Sequence, residues 1–477
     1  MRITLVGHSC LYVESESGNL IVDPWLIGSV GWRSWWHYPP IGELDPAWFS
    51  PDFVYLTHHH PDHFHYPSLR KLDKDADVYV ARFGVDVMRG ELGKLGFRHV
   101  TELPHGHRVR LGPDLEIASY QYGFDDTAFV VKVGDVVAVD VNDCKLRGRA
   151  LDQLIHDFGH PTFMLKTFSW AQGYPYCYTA DDPADLELVT RETPMRDFVE
   201  VARHLRPRYA IPFASLVAFL HPETLDLNQY CVSPHELEQF VAASGGLGTT
   251  ELVTLTPGDS WDPDGGFRRT TEDWWTDRDR RLAEQVARIQ PTIDKQNTLE
   301  AGRRIEFRQF ADYFEEFARS IPAPLRKRVL NRPIVFEVPS SPRPYWSIDV
   351  ARARVLARKE LPADTASIIR VPEAVLADAI ENRITHFVQG SMRIRTHLKP
   401  GGASQDLAFW GLIMVWEIGY LPVWRVATPR FAAALVRRWR EAADALSALV
   451  GRGTFLERMA TNFAPPGSED EQPGQAA

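Results

Sequence analysis

The stretch Tyr55-Leu56-Thr57-His58-His59-His60-Pro61-Asp62-His63 constrains this chain more than any other. The apolar run Phe53–Leu56 reads as a short strand that stops at Thr57 and hands the chain to a tight loop. His58 and His60, two residues apart, can face the same side and offer imidazole nitrogens to one cation. Pro61 bends the loop, so that Asp62 and His63 can turn towards a second cation beside the first. His59 points away and takes no ligand role. Imidazoles packed this closely around a carboxylate suit zinc, iron or manganese, whereas calcium and magnesium prefer sets of oxygens. The bland alternative is a chance surface cluster in a chain with 17 histidines. A strand followed by His-x-His-x-Asp-His is too specific for that.

Around this loop the chain alternates short strands with helices. Ile3–Val6, Leu11–Val13, Leu20–Val22, Val78–Ala81, Leu115–Tyr120, Ala128–Val133 and Val136–Val139 read as strands, and Val85–Leu95 and Met195–His204 as helices. Residues 1–263 therefore predict a layered α/β catalytic domain. Residues 264–332 predict a helical connecting region, with Phe310, Tyr313, Phe314 and Phe317 forming one apolar stripe for helix packing. Residues 333–462 predict a smaller α+β domain, with strands at Ile334–Val338, Tyr345–Val350 and Ser367–Val371 and a helix over Pro372–Asn382. Residues 463–477, rich in Pro, Gly and acidic side chains, predict a disordered tail.

The net charge of −10 argues against a general binder of nucleic acid or of anionic membranes, although a local basic patch is compatible with it. The longest apolar stretch, Leu407–Val415, is too short to span a bilayer. Ile3–Val6 follows Met1-Arg2 directly, with no signal-peptide pattern, and the four scattered cysteines read as reduced thiols. A cytoplasmic location is expected.

On the His58–His63 loop, residues 1–260 resemble the metallo-β-lactamase superfamily, whose fold is a four-layer αββα sandwich. Gly7-His8-Ser9-Cys10-Leu11-Tyr12 and Asp23-Pro24-Trp25-Leu26 are similar to the branch that holds lactonase-like and phospholipase-D-like members. Asn142-Asp143-Cys144, Ala171-Gln172-Gly173-Tyr174-Pro175, Pro212-Phe213-Ala214 and His221-Pro222 are similar to the metallo-β-lactamase part of the CMP-N-acetylneuraminate hydroxylase family. That family adds a Rieske iron–sulfur module, for which this chain has no Cys-x-His…Cys-x-x-His pattern.

The resemblance implies two metal ions held by His58, His60, Asp62, His63, Asp126, Asp143 and His221, with Asp62 and Asp143 also acting in catalysis. Asp143 matches the bridging aspartate. Where the superfamily has a further histidine, this chain has Asp125-Asp126, of which Asp126 is preferred and Asp125 is the reserve. The final histidine is replaced by Ala214; His221 is the candidate substitute, an ordinary loop histidine being the alternative. His8 and the aromatic run Trp32, Trp35, Trp36, His37 and Tyr38 either line the substrate mouth or form a packed loop. His105 and His107 are left out of the site.

A carboxylate in place of an imidazole favours iron over zinc. The chain thus resembles the superfamily's diiron β-hydroxylases, which implies a monooxygenase acting on a small apolar or acyl-type substrate. The electron donor would be a separate partner. The alternative is a binuclear zinc hydrolase acting on a phosphodiester, lactone or thioester; a metal-stabilised binding protein is a third reading. The C-terminal region weakly resembles a sterol-carrier-like domain, with a lid or a homodimerisation domain as alternatives.

Overall fold

The computed structural model describes residues 1–270, 272–441 and 443. Two sheets pack face to face over the first 268 residues. One runs in the order Gly266–Arg268, Ser260–Asp262, Arg2–Gly7, Cys10–Ser15, Gly18–Val22, Phe53–Leu56, Asp77–Ala81, His99–Leu103. The other runs Glu251–Leu252, Tyr209–Pro212, Phe163–Lys166, Val136–Asn142, Asp126–Val133, Leu115–Tyr122, Arg108–Arg110.

The side-chain alternation of the strands produces the layers. Leu11, Val13, Leu20, Val22 and Tyr55 face inwards and meet Ile117, Phe129, Val131 and Leu165 of the opposite sheet. Tyr55 stacks on Phe129 with ring centroids 3.8 Å apart. The residues between them, Cys10, Tyr12, Ile21, Val54 and Leu56, face outwards and pack with Leu69, Leu72 and Leu92. Because both faces are covered, these strands read in the sequence as continuous apolar runs. The second sheet is covered by the helices Arg149–Phe158, Thr193–Leu205 and Pro234–Ala243 through Leu151, Leu154, Phe198 and Leu237. The result is an αββα sandwich.

The helix Arg278–Glu300 leaves the sandwich by laying Leu282, Ile289 and Ile293 on Tyr38, Ala218 and Leu220. A smaller α+β unit follows. Its sheet runs Tyr178–Ala180, Arg395–Leu398, Ser367–Arg370, Ile334–Glu337, Tyr345–Asp349, Arg354–Arg358. Phe310, Phe314 and Phe317 of the helix Phe307–Ser320 pack on Phe336, Trp346 and Phe409, each ring contributing about 1.5–3 kcal/mol on burial.

Two features cross the boundaries expected at 263/264 and 332/333. The helix Phe307–Ser320, expected in the connector, supplies part of the smaller unit's core. The strand Tyr178–Ala180 comes from the sandwich region yet pairs in parallel with Arg395–Leu398. Pairing over so long a sequence separation leaves no local trace in the sequence. The expected tail 463–477, and the end of the 333–462 unit, lie outside the described residues. Among the described residues, no helix is long and apolar enough to cross a membrane.

Candidate metal centre

The carboxyl ends of several strands converge at one end of the sandwich. Phe53–Leu56 leads into the histidine loop, Gly18–Val22 into Asp23, Val136–Asn142 into Asp143, and Arg2–Gly7 into His8. Asp126 opens the strand Asp126–Val133 after the hairpin loop Gly123–Asp125. Sheets of this kind leave a crevice at their strand ends, and loops there carry chemistry.

Asp23 is the anchor beneath the loop. It accepts hydrogen bonds from the Thr57 amide at 2.8 Å and the Thr57 hydroxyl at 2.6 Å, and its Oδ2 lies 2.6 Å from His63 Nδ1. Thr57 Oγ1 lies 2.9 Å from His58 Nδ1. Since the Thr57 hydroxyl donates to Asp23, its oxygen accepts from His58. Both imidazoles therefore carry a proton on Nδ1 and turn Nε2 towards the cluster, His58 Nε2 lying 3.0 Å from His60 Nδ1. His63 Nε2 is buried with no hydrogen-bond partner. It faces Asp62 Oδ2 at 3.4 Å and Asp143 Oδ2 at 3.5 Å.

Three groups bring their ligand atoms within 4.8 Å of one another: His58, His60 and Asp126; His8, Asp62 and His63; and His58, His63 and Asp143. Six of the seven expected ligands are thus brought together. Asp126, not Asp125, joins His58 and His60; the Asp125 carboxylate stands 3.8 Å from His60 Nε2.

His221 is not among these groups. The strand Val217–Phe219 pairs with Trp35–His37 and leads the chain to a different place. There the His221 Nδ1 accepts from the Glu223 amide at 3.2 Å, and the ring lies beside Arg393. His8 stands in the cluster instead, with Nε2 3.0 Å from Asp62 Oδ2. The Ala214 amide donates to the His8 carbonyl at 3.0 Å, so His8 enters beside the position where the final histidine was expected.

The electrostatics suit cations. Burial, and then the neighbouring imidazoles, hold His58 well below the usual histidine range, and burial lowers His60 as well. Burial lowers His63 too, but the Asp62 and Asp23 carboxylates outweigh it and hold the ring well above its usual value. Asp62 is opposed by burial yet held well below the carboxylate range by His63 and His8. Burial and then Asp125 push Asp126 up to about 7, and its Oδ1 is buried without a partner. Imidazole edges that converge with the Asp62, Asp126 and Asp143 carboxylates, one of whose oxygens (Asp126 Oδ1) is buried without a partner, are a donor set that bound cations would satisfy in place of the proton on His63.

A cavity of about 2020 Å³ opens on this cluster. His8, His60, Asp62, Asp126 and Asp143 contribute to its lining, and so do Leu407, Leu412 and Val415 of the helix Ala403–Glu417. The aromatic run divides between its two expected roles. Trp32 and Trp35 line the cavity, whereas Tyr38 is buried under the helix Arg278–Glu300 with Trp36 packed beside it. His105 is buried beside Gln153 and belongs to none of the three groups.

His386, which no motif marks, lines the same cavity from the smaller unit. Its Nδ1 is hydrogen-bonded to Glu417, a buried carboxylate that also accepts from the His386 amide at 2.9 Å, the Thr385 amide at 2.8 Å and the Tyr313 hydroxyl. Its partner Glu417 lies more than 350 residues from the histidine loop, so proximity in sequence could not reveal either residue.

An αββα sandwich with three overlapping histidine–aspartate groups at its strand ends is a metallo-β-lactamase-type fold. Residues 2–150 match the family model described as beta-lactamase superfamily domain. Over 244 residues it is 32% identical to a Mycobacterium tuberculosis protein with a provisional Rieske 2Fe-2S iron-sulfur name, covering 48% of this chain and 46% of that one. Over 275 residues it is 24% identical to the cytidine monophosphate-N-acetylneuraminic acid hydroxylase of Mus musculus, covering 54% and 46%. The chain thus spans about half the length of the curated relatives it matches. Among solved structures, it is similar to CmlA, a diiron β-hydroxylase from Streptomyces venezuelae, at 16% identity and a TM-score of 0.38, over 54% of this chain and 53% of that one.

Proposed function

We propose that this chain is a binuclear metal enzyme whose cations are iron, and that it hydroxylates an apolar or acyl-type substrate. The observation that carries the reading is the placement of Asp126 with His58 and His60, where the superfamily pattern has a third imidazole. In this reading His58, His60 and Asp126 hold one cation, His8, Asp62 and His63 hold the other, and Asp143 lies between them. An oxygen-rich, anionic donor set favours iron over zinc. The hydroxylase names of relatives support the same direction. Bound iron would supply the oxygen activation, with electrons from a separate donor.

The remaining work belongs to the protein. Asp23 and Thr57 fix the protonated edges of His63 and His58, which sets ring orientation. Trp32, Trp35 and the apolar wall of Ala403–Glu417 exclude water and orient the substrate. His386, held at Nδ1 by Glu417, offers Nε2 to hold or move a proton at the substrate. Ligand pockets commonly enclose about 300–1,000 Å³. The cavity here is larger and has an apolar wall, which supports an apolar or acyl-type substrate.

A hydrolase remains the second reading, because His58, His60 and Asp126, like His8, Asp62 and His63, are two imidazoles and a carboxylate, a set that zinc also takes. Metal analysis of protein purified without added metal separates the two. We expect about two irons per chain and an absorption band that develops when the reduced protein meets oxygen. Zinc in both positions, with turnover of a p-nitrophenyl ester or phosphodiester, would overturn the oxygenase.

The donor set can be checked directly. Asp126→His should move selectivity towards zinc by about tenfold or more in a competition against iron, read by metal analysis. Unchanged selectivity would remove Asp126 from the coordination sphere.

A further inference from the structure

Residues 418–440 hold five arginines, at 425, 430, 437, 438 and 440, and no acidic residue, in a chain whose net charge is −10. The same segment holds most of the exposed large apolar side chains among the described residues. Trp424 is 71% exposed, Val436 73% and Trp439 55%, and Val423 and Leu435 are about half exposed. Scattered single exposures would need no explanation, but apolar and cationic groups concentrated in one stretch do.

The helix Pro429–Arg437 within this segment has two faces. Phe431, Ala434 and Leu435, followed by Arg438, share the spacing of one helical face and line the large cavity. Arg430 ties this side down, with its guanidinium on Glu102 and on the Phe83 and Val85 carbonyls. Val436, Arg437 and Trp439 lie off that face and are exposed. Arg425 stands exposed beside Trp424, and among the described residues no carboxylate pairs with Arg425 or Arg437.

We propose that this segment docks on an anionic phospholipid surface, so that the apolar cavity is loaded from the bilayer. Tryptophans settle at the boundary between headgroups and acyl chains, and arginines bind the phosphates. The occupant is a lipid surface and not an acidic protein, because the patch joins aromatic and aliphatic side chains to cations that no carboxylate among the described residues pairs, and continues into an apolar cavity. It is compatible with the bulk charge, which leaves room for a local basic patch. The proposal does not depend on which metal the site holds.

The test is co-sedimentation of the full chain with vesicles of phosphatidylcholine containing about one-third phosphatidylglycerol, against pure phosphatidylcholine. Binding should be confined to the anionic vesicles and weaken steeply with salt. Arg425→Ala with Arg437→Ala should weaken it about twenty-five-fold, roughly fivefold per charge removed. Trp424→Ala with Trp439→Ala should release the protein while leaving its circular dichroism and metal content unchanged. Absence of binding to anionic vesicles would overturn the proposal, as would equal binding by the arginine variant. So would a concentration-dependent dimer that the tryptophan variant dissociates, since the occupant would then be a second copy.

Discussion

Asp143→Ala is expected to reduce the metal content from about two ions per chain to below one and to abolish turnover. Loss of an outer-sphere partner alone typically costs about 10–100-fold in metal affinity, and Asp143 is proposed as a direct ligand to both ions. The fold should survive the change. The loop is held by backbone and by Asn142, whose Oδ1 accepts from the Asp143 amide at 2.6 Å and whose Nδ2 donates to the Thr127 carbonyl at 3.0 Å. None of this involves the Asp143 carboxylate. Between the two metal-free proteins a stability change within about 0.5 kcal/mol is therefore expected, whereas the variant as purified should melt lower because it has lost bound ions. Metal analysis beside a thermal melt reads both quantities. His60→Ala should behave similarly, and full metal occupancy in both variants would refute the binuclear assignment.

His8→Ala and His221→Ala form the second contrast. His8 Nε2 reaches Asp62 in the cluster with His63, whereas His221 lies beside Arg393, Glu223 and Glu300. His8→Ala should lower the metal content to about one ion per chain, leaving the His58, His60 and Asp126 cluster filled. Activity that needs both ions should fall by about two orders of magnitude or more. His221→Ala should leave the metal content unchanged and act, if at all, on thermal stability. The reverse pattern would return His221 to the site and exclude His8.

How much of this was legible in the sequence follows from where the information resides. The strands Cys10–Ser15, Gly18–Val22, Phe53–Leu56 and Asp126–Val133 were visible because both of their faces are buried, which leaves apolar runs bounded by turns. His99–Leu103 was missed because it is a sheet-edge strand whose His99 and Thr101 are exposed. Phe163–Lys166 was missed because it ends in a lysine, Lys166, that is fully buried against Asp197 at 2.8 Å. The histidine loop was legible because its donors are contiguous. The His8 assignment was not, because its signal lies in topology. The hairpin that joins Arg2–Gly7 to Cys10–Ser15 carries His8 at a positive φ of 34°, and only the three-dimensional course of the chain brings it to Asp62. His386 and Glu417 depend wholly on how the smaller unit seats on the sandwich.

The parallel pairing of Tyr178–Ala180 with Arg395–Leu398 has a practical consequence for anyone who would divide the gene. A fragment ending near residue 263 would keep this strand but lose its neighbour, exposing unsatisfied amides and carbonyls at a raw β margin that invites sticking to other chains. A fragment beginning there would lack the outermost strand of its own sheet. The catalytic half and its companion are thus stitched through a common seam, and insertions or fusions are best confined to surface loops outside 178–180 and 395–398.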